Sequence, residues 1–486
     1  MKVKIINGAF PCEIACSAGE TVFDMLLKNG YAINSPCGGK GRCGKCKIKA
    51  SGLLSPLSGS EKKHLSATEI ENGYRLACQA KIQGDCVVHY ENEIKPLHGL
   101  TEGMAVQTQT KPITGNKNCF ACAVDIGTTT VAIRIFKMPE CEPVYDECIG
   151  NPQIKFGGDI ITRITYATEN STDDLKNAIR DAIKDVYKSF GKEISFSVIT
   201  GNTAMLHFYE GLDTSTLALY PFTPSSLFGQ MSENVYYPRC ISAFVGADIT
   251  CAILASGMMA DKESLLIDLG TNGEMAYLKN GKLTCCSTAA GPAFEGAGIS
   301  QGMAASDGAI DKVFLNNQGK IEYTVLGDSK AKGICGSGLI DAIACMLEIG
   351  VIDETGYIEN DFEIDDSSIK ITLEDIRAVQ LAKSAIRAGI ETLTKNKGDI
   401  ETLYISGGFG NYVNKANCVK IGLIPNETKD IIKVVGNASL SGAGLILKNS
   451  DNINKSEEIA HSADIQELAT DEFFIDKYID YMYFQT

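Results

Sequence analysis

Two similar stretches decide the fold, Ala123-Val-Asp-Ile-Gly-Thr-Thr-Thr130 and Leu266-Ile-Asp-Leu-Gly-Thr-Asn-Gly273. In each, a hydrophobic run ends in Asp-x-Gly-Thr, and a second apolar run follows a polar turn, which is the pattern of a buried β-hairpin. The repeat predicts two related lobes that mix strands with helices. Helical patterns cover Thr172 to Phe190 and Leu373 to Lys395.

The two turns carry groups that suit a phosphorylated ligand. Each turn places a carboxylate beside backbone N–H groups and hydroxyls. Phosphate oxygens accept hydrogen bonds from N–H and O–H groups, and carboxylates hold Mg²⁺, usually through water. A third glycine-rich element, Tyr404-Ile-Ser-Gly-Gly-Phe-Gly-Asn411, follows a predicted strand and offers bare backbone to a nucleoside. The three elements in this order predict a site for a nucleoside triphosphate between the lobes.

A cysteine motif precedes the lobes. The segment Cys37-Gly-Gly-Lys-Gly-Arg-Cys43-Gly-Lys-Cys46 has C-x5-C-x2-C spacing, and Cys78 follows it. Four thiolates in this arrangement are typical of a [2Fe-2S] cluster, with three ligands on a glycine-rich loop and one on a distant strand. Zinc is the alternative, but a zinc ribbon normally brings two matching C-x2-4-C knuckles, and only one is visible. We therefore predict that Cys37, Cys43, Cys46 and Cys78 hold iron and sulfur.

Composition excludes several classes of function. The chain has 45 basic and 60 acidic residues and a formal net charge of −15, which argues against nonspecific nucleic-acid binding. With 44% hydrophobic and 22% charged residues, it is not a generally disordered chain. The apolar stretches 241–260 and 334–352 contain Asp248 and Asp341, so we expect buried helices and no membrane span. The opening residues lack an export signal, and we expect a cytoplasmic protein with reduced thiols.

Composition and motifs also divide the chain. We expect a small ferredoxin-like domain of short strands around one helix (residues 1–93), a linker (94–118), two lobes (119–262 and 263–450) and a C-terminal tail (451–486). The tail has aromatic residues at helical spacing, and we expect it to pack back on a lobe. A contact with a partner helix or a homodimer contact is the open alternative for this tail.

The order of these motifs resembles the actin, sugar-kinase and heat-shock-chaperone ATPase superfamily. Residues 125–130 and 268–274 match its two phosphate loops, and residues 406–410 match its adenosine loop. With a ferredoxin module in front, the chain is similar to the reductive activators of corrinoid proteins. That resemblance implies a multidomain α+β and α/β protein, in which a β-grasp-like [2Fe-2S] domain precedes a duplicated, two-lobed, actin-like (ribonuclease H-like) ATPase domain.

The resemblance also implies an activity. An activator of this kind passes one electron from its [2Fe-2S] cluster to a corrinoid protein of a methyltransferase system and returns inactive Co(II) to Co(I). ATP binding and hydrolysis drive the transfer or release the partner, and a low-potential donor resupplies the electron. The open alternatives are an ATP-dependent electron donor to a non-corrinoid metalloprotein, a small-molecule kinase with a redox-sensing ferredoxin domain, and a nucleotide-gated binding module with a structural cluster.

The same resemblance implies roles for individual residues. ATP would contact the two phosphate loops and the adenosine loop through Gly127, Thr128, Thr129, Thr130, Gly270, Thr271, Asn272, Gly273, Gly407 and Gly408. Asp125 and Asp268 would organise Mg²⁺ and its waters. Glu274 and Asp159 are the candidates for orienting the attacking water.

Overall fold

The computed structural model describes residues 1–7, 10–29, 31, 33, 39–42, 44–90, 101–114, 119–395, 400–407 and 413–484. Compactness divides the chain into two units, Met1–Ile94 with Gly150–Ala182, and Lys95–Ile149 with Ile183–Thr486. Within the described ranges, every helix is too short or too polar to cross a membrane.

The first unit contains a five-stranded sheet of order β2-β1-β5-β3-β4, in which β1 runs parallel to β5 and the other pairs are antiparallel. Helix α1 buries Val22, Met25 and Leu26 completely in the core of this module. The mixed sheet with its helix confirms the predicted ferredoxin-like fold. The bounds are β1 Lys2–Asn7, β2 Phe10–Ala15, α1 Val22–Lys28, β3 Lys47–Leu54, α2 Gly59–His64, α3 Ala67–Glu71, β4 Tyr74–Leu76 and β5 Ile82–His89.

Two further helices begin in the first unit. Helix α4 (Ile160–Glu169) starts after Asp159, whose carboxylate accepts a hydrogen bond from the Thr162 backbone N–H at 2.8 Å. Helix α5 (Thr172–Phe190) has the predicted bounds, with Asp173 and Asp174 in its first turn, where acids favour helix formation.

The second unit opens with a six-stranded sheet of order β10-β11-β9-β6-β7-β8. Strands β6 and β7 form an antiparallel hairpin, and β9 runs parallel to β6. The bounds are β6 Phe120–Ile126, β7 Thr130–Lys137, β8 Glu142–Gly150, β9 Ile194–Gly201, α6 Thr203–Glu210, β10 Gln230–Ser232, β11 Val235–Tyr237 and α7 Ala247–Ser256.

A second six-stranded sheet, of order β21-β20-β12-β13-β14-β22, repeats this plan with an antiparallel β12–β13 hairpin and a parallel neighbour, β20. The repetition confirms the two predicted lobes and their hairpins. The bounds are β12 Glu263–Leu269, β13 Gly273–Lys279, β14 Lys282–Thr288, β15 Ala309–Leu315, β16 Ile321–Val325, β17 Gly333–Ile334, α8 Gly336–Glu348, β18 Phe362–Glu363, β19 Lys370–Ile371, α9 Leu373–Thr394, β20 Thr402–Ser406, α10 Lys415–Lys420, β21 Ile432–Gly436, α11 Ala438–Lys448, α12 Asp451–Ser462, β22 Ala463–Ile465 and α13 Glu472–Asp480.

Helices α7 and α11 pack closely against each other within the second unit. A Cβ atom on Gly442 would lie 2.1 Å from the Cys251 carbonyl oxygen, so only glycine permits this approach. Beside α11 lies the described part of the segment predicted as a linker. Its Met104 N–H donates to the Val435 carbonyl at 2.9 Å, so residues 101–114 are anchored to this unit.

The C-terminal tail packs against α9, as predicted. The buried Nζ atom of Lys383 donates to the carbonyl oxygens of Tyr481 at 2.5 Å and of Tyr483 at 2.6 Å. The Tyr481 hydroxyl donates to Glu391 at 2.6 Å. Polar groups of one helix therefore hold the end of the chain through its backbone.

Candidate functional site

A cleft of about 1060 Å³, including its open mouth, lies in the second unit between the turns of the two hairpins. Its lining contains most of the predicted nucleotide-site residues, namely Asp125, Gly127, Thr128, Thr129, Thr130, Asp268, Gly270, Thr271, Asn272, Glu274 and Gly407. The topology brings them together because each turn follows a central strand of its own sheet.

The two repeated aspartates each have a hydrogen-bond donor. Asn437 Nδ2 donates to Asp125 at 3.0 Å, and Ser406 Oγ donates to Asp268 at 2.6 Å. Burial raises the pKa of Asp125 to about 7, and the charge of Asp268 adds to this rise, against the Asn437 hydrogen bond. Burial likewise raises the pKa of Asp268.

Two more acids complete this group. Glu274 faces Asp268 across the second hairpin, and Asp248 lies at the start of α7. Burial, followed by the charges of neighbouring aspartates, raises the pKa of both carboxyl groups well above the ordinary range. Asp248 was not among the site residues predicted from the sequence, although it lies in the glycine-containing segment that opens α7.

The acids fit a hydrated cation better than a directly ligated one. Among the described residues, no group of three or more His, Cys, Asp or Glu is close enough to hold a metal by itself. A neighbouring positive charge favours the ionised form of such buried carboxyl groups and opposes the rise in their pKa. A cation that arrives with a phosphate ligand and keeps most of its water satisfies both observations.

A single carboxylate oxygen joins the two phosphate loops. Glu295 Oε2 accepts hydrogen bonds from Thr129 Oγ1 at 2.5 Å and from Thr271 Oγ1 at 3.0 Å. On the first loop, Asn202 Nδ2 donates to Thr128 Oγ1 at 3.4 Å. Glu295, Asn202 and Asn437 were not predicted as site residues, because nothing in their local sequence shows that they meet the loops.

Three predicted residues do not lie in the described cleft lining. Gly273 begins β13, and a Cβ atom there would lie 3.1 Å from Ile386 of α9, so its place is in the packing of the second lobe. Gly408 lies outside the described residues. Asp159 belongs to the first unit, where it caps α4.

Half of the predicted cluster site is described. Cys46 and Cys78 are buried, and their sulfur atoms lie 3.3 Å apart. Cys46 lies just before β3 and Cys78 just after β4, and the antiparallel pairing of these strands brings the two sulfurs together. Cys37 and Cys43 lie outside the described residues.

The surroundings of Cys78 favour a negatively charged sulfur. The hydrogen bond from Cys46 lowers the pKa of the Cys78 thiol to about 6 against the opposing effect of burial, and bonds from Gln79 and the Gly41 N–H act in the same direction. Gly41 has a φ of 68°, and a Cβ atom there would lie 2.6 Å from the Gln79 amide nitrogen. Glycine at this position thus lets the loop fold over the sulfur.

A buried ion pair supports the strand that leads to Cys78. Glu61 of α2 is fully buried and accepts from Arg75 Nε at 2.7 Å and Nη2 at 3.2 Å. It also accepts from the backbone N–H groups of Ser58 at 2.8 Å and Leu76 at 3.2 Å. The carboxylate is therefore satisfied by four hydrogen bonds, as a buried charge requires.

Three family descriptions match successive parts of the chain. Residues 5–83 match a 2Fe-2S iron-sulfur cluster binding domain, residues 120–261 match the RACo middle region, and residues 262–486 match the C-terminal domain of RACo, the ASKHA domain. Here ASKHA denotes the actin, sugar-kinase and heat-shock-chaperone superfamily. These matches support a [2Fe-2S] cluster in the first module and ATP binding in the last.

Relatives and a solved structure extend over the same modules. The chain is 30% identical to the corrinoid activation enzyme RamQ of Eubacterium limosum over 575 aligned positions, covering 96% of both chains. It is 28% identical to a Co(II) methylated amine-specific corrinoid protein reductase of Methanosarcina barkeri, covering 74% of this chain and 76% of that one. The solved structure of a reductive activator for corrinoid, iron-sulfur protein superposes on this chain with a TM-score of 0.71 at 27% identity. The match covers 99% of this chain and 98% of that one. The chain belongs to the RACo family of reductive activators of corrinoid proteins.

Proposed function

We propose that this protein reactivates a corrinoid protein by returning its cobalt from Co(II) to Co(I), with ATP driving the transfer. The observation that carries the proposal is the whole-length match, because 96% of the chain aligns with 96% of a corrinoid activation enzyme. The cysteine site and the two-lobed cleft are the two parts that this activity requires.

The electron is carried by the first module. Cys37, Cys43, Cys46 and Cys78 would hold a [2Fe-2S] cluster, which supplies one-electron chemistry when bound. Cys46 and Cys78 suit this role because both are buried and their sulfurs are 3.3 Å apart. The N–H of Gly41 and the amide of Gln79 donate to the Cys78 sulfur and stabilise its charge. A low-potential electron donor completes the cycle.

ATP is bound by the second module. Backbone and hydroxyl groups of the two turns would bind its phosphates through the predicted residues that line the cleft, Gly127, Thr128, Thr129, Thr130, Gly270, Thr271 and Asn272. Gly407 and Gly408 would approach the adenosine. Gly407 has a φ of 112°, and a Cβ atom there would lie 2.5 Å from the Leu269 carbonyl oxygen, so this loop has room for backbone only.

Mg²⁺ would enter with the nucleotide. Asp125 and Asp268 are proposed to hold its waters, because a cation lowers the cost of charge on carboxylates whose pKa values burial has raised. Between the two candidates for orienting the attacking water, Glu274 is favoured. It lines the cleft, whereas the Asp159 carboxylate accepts the Thr162 N–H as a helix cap.

ATP is needed because the transfer is uphill. Each 59 mV of unfavourable potential for one electron reduces the product tenfold at equilibrium. A ligand shifts a conformational equilibrium only if it binds two arrangements with different affinity. We propose that two lobes with a phosphate loop each can adopt two such arrangements, and that their movement changes the affinity for the corrinoid partner.

Cysteine variants test the assignment of the electron path. Cys78→Ser should abolish the visible iron-sulfur spectrum and reduction of a Co(II) corrinoid protein, while ATP binding, measured by calorimetry, is retained. Cys86→Ser is the matched control, since Cys86 is also buried in the first module but lies on β5 away from the cysteine loop. Co(I) formation by Cys78→Ser at the native rate would refute the proposal.

A further inference from the structure

The carboxylate of Glu295 lies where ligand phosphates would be expected. Glu295 ends a short 3-10 helix, Pro292–Glu295, in the second lobe. Its Oε2 atom accepts the hydroxyl protons of Thr129 on the first loop and Thr271 on the second, at 2.5 and 3.0 Å. One anionic oxygen therefore receives a donor from each half of the duplicated fold.

These hydroxyls cannot serve two acceptors. A threonine hydroxyl has one proton, so while it donates to Glu295 it cannot donate to a phosphate oxygen. The rest of the carboxylate also lies against the second loop, since a Cβ atom on Gly270 would be 3.3 Å from Glu295 Oε1. A carboxylate oxygen and a phosphate oxygen are both anionic acceptors of charge-assisted hydrogen bonds. The two groups thus compete for one position.

The backbone that carries Glu295 is held firmly. Gly296 follows it with a φ of 78°, and its N–H donates to the Ala293 carbonyl at 3.0 Å. Phe294 is 1% exposed in the lobe core. A Cβ atom on Gly336 would lie 1.9 Å from the Phe294 carbonyl oxygen, so the start of α8 packs directly against this helix. The contact between the loops therefore depends on the Glu295 side chain and not on a loose loop.

We propose that Glu295 is a positioning residue that competes with the terminal phosphates of ATP for the Thr129 and Thr271 hydroxyls, cross-links the two phosphate loops, and is displaced when ATP binds. The inference rests on the proposed function, because it takes ATP as the ligand. ATP exchanges an intramolecular acceptor for its own phosphates and so releases one link between the lobes. AMP lacks the terminal phosphates and leaves that link in place.

The test is the nucleotide affinity of Glu295→Gln. The amide is neutral and a weaker acceptor, so ATP displaces it more easily. We expect the Kd for Mg-ATP, measured by calorimetry, to fall by about fivefold or more, from the loss of an anion beside the phosphates. The Kd for AMP should stay unchanged, and the decrease in the Kd for ADP should lie between the changes for ATP and AMP. Glu427→Gln makes the same change at an exposed site in the same lobe and should alter none of the three.

The outcomes separate the possible errors. Unchanged or weaker ATP binding in Glu295→Gln, or equal shifts for ATP and AMP, would overturn the inference, since only a competitor of the terminal phosphates acts selectively. Failure of the native protein to bind ATP would instead refute the proposed function. Glu295→Asp supplies a second variant, because the shorter side chain cannot reach both hydroxyls, and it should shift ATP affinity in the same direction.

Discussion

Replacing Glu61 by glutamine should destabilise the ferredoxin module far more than the same change at Glu69. Both glutamates lie at the third position of a helix capped by serine, and both form a capping box and an ion pair. Glutamine retains the capping box. The two variants therefore differ mainly in the burial of the lost charge, which is complete at Glu61 and partial at Glu69.

The magnitude follows from the partners. Removing the Glu61 charge leaves Arg75, 12% exposed, without its counterion. With the glutamine oxygen at the Ser58 N–H, the NH2 group faces the Leu76 N–H and the Arg75 Nε, which lose their acceptor. Breaking a buried pair costs about 3 kcal/mol or more of the free energy of unfolding. The Lys47–Glu69 pair is 38% and 30% exposed, and such a pair contributes less than about 1 kcal/mol.

The assay is thermal loss of the visible cluster absorbance. In a module of this size, 1 kcal/mol corresponds to about 4–8 °C, so Glu61→Gln should lower the midpoint by about 12 °C or more and Glu69→Gln by no more than about 8 °C. ATP binding at room temperature should be the same in both variants. Equal shifts in the two variants would refute the argument that the buried pair supports the strand leading to Cys78.

Two other changes test the second module. Asp268→Asn should reduce the rate of ATP hydrolysis at least about tenfold, because the anion proposed to organise the cation is lost. The iron-sulfur spectrum should be unchanged. Hydrolysis at the native rate in this variant would disprove the role proposed for Asp268. Burial and the charge of Arg387 lower the pKa of Lys383 to about 7, well below its value of 10.5 in the unfolded chain. At a pH between these two pKa values, the unfolded state therefore binds more protons than the folded state. Thermal stability should therefore gain a contribution from this group as pH rises from 7 to 9, and Lys383→Met should lose that contribution; identical pH profiles would contradict it.

The sequence was sufficient for the elements with strong local patterns. Both hairpins were predicted because a central strand buried on both faces is a continuous apolar run, and Asp-x-Gly-Thr ends it. Helix α5 was predicted with its observed bounds, and α9 ends one residue before the predicted Lys395. Helix α8 begins at Gly336, where a Cβ atom would lie 1.9 Å from the Phe294 carbonyl oxygen, so the packing of its first turn requires glycine.

The remaining parts depend on tertiary contacts. Glu295, Asp248 and Asn437 lie far apart in sequence, and they meet the phosphate loops only because the duplicated sheets place several loop ends at one cleft. The short strands β15 to β17 likewise depend on pairing partners and not on their own pattern. The sequence motifs identified candidate segments of the site, whereas the structure was needed to show which polar residues line the cleft.

The central claim is that ATP drives an electron from this protein to cobalt. The direct measurement is anaerobic: the reduced protein is mixed with a corrinoid protein in the Co(II) state, and the Co(I) absorbance is followed with Mg-ATP, without nucleotide, and with Mg-ATP and Asp268→Asn. We predict Co(I) formation only with Mg-ATP and the native protein. Equal Co(I) formation without nucleotide, or none with Mg-ATP despite an intact cluster and ATP hydrolysis, would contradict the account.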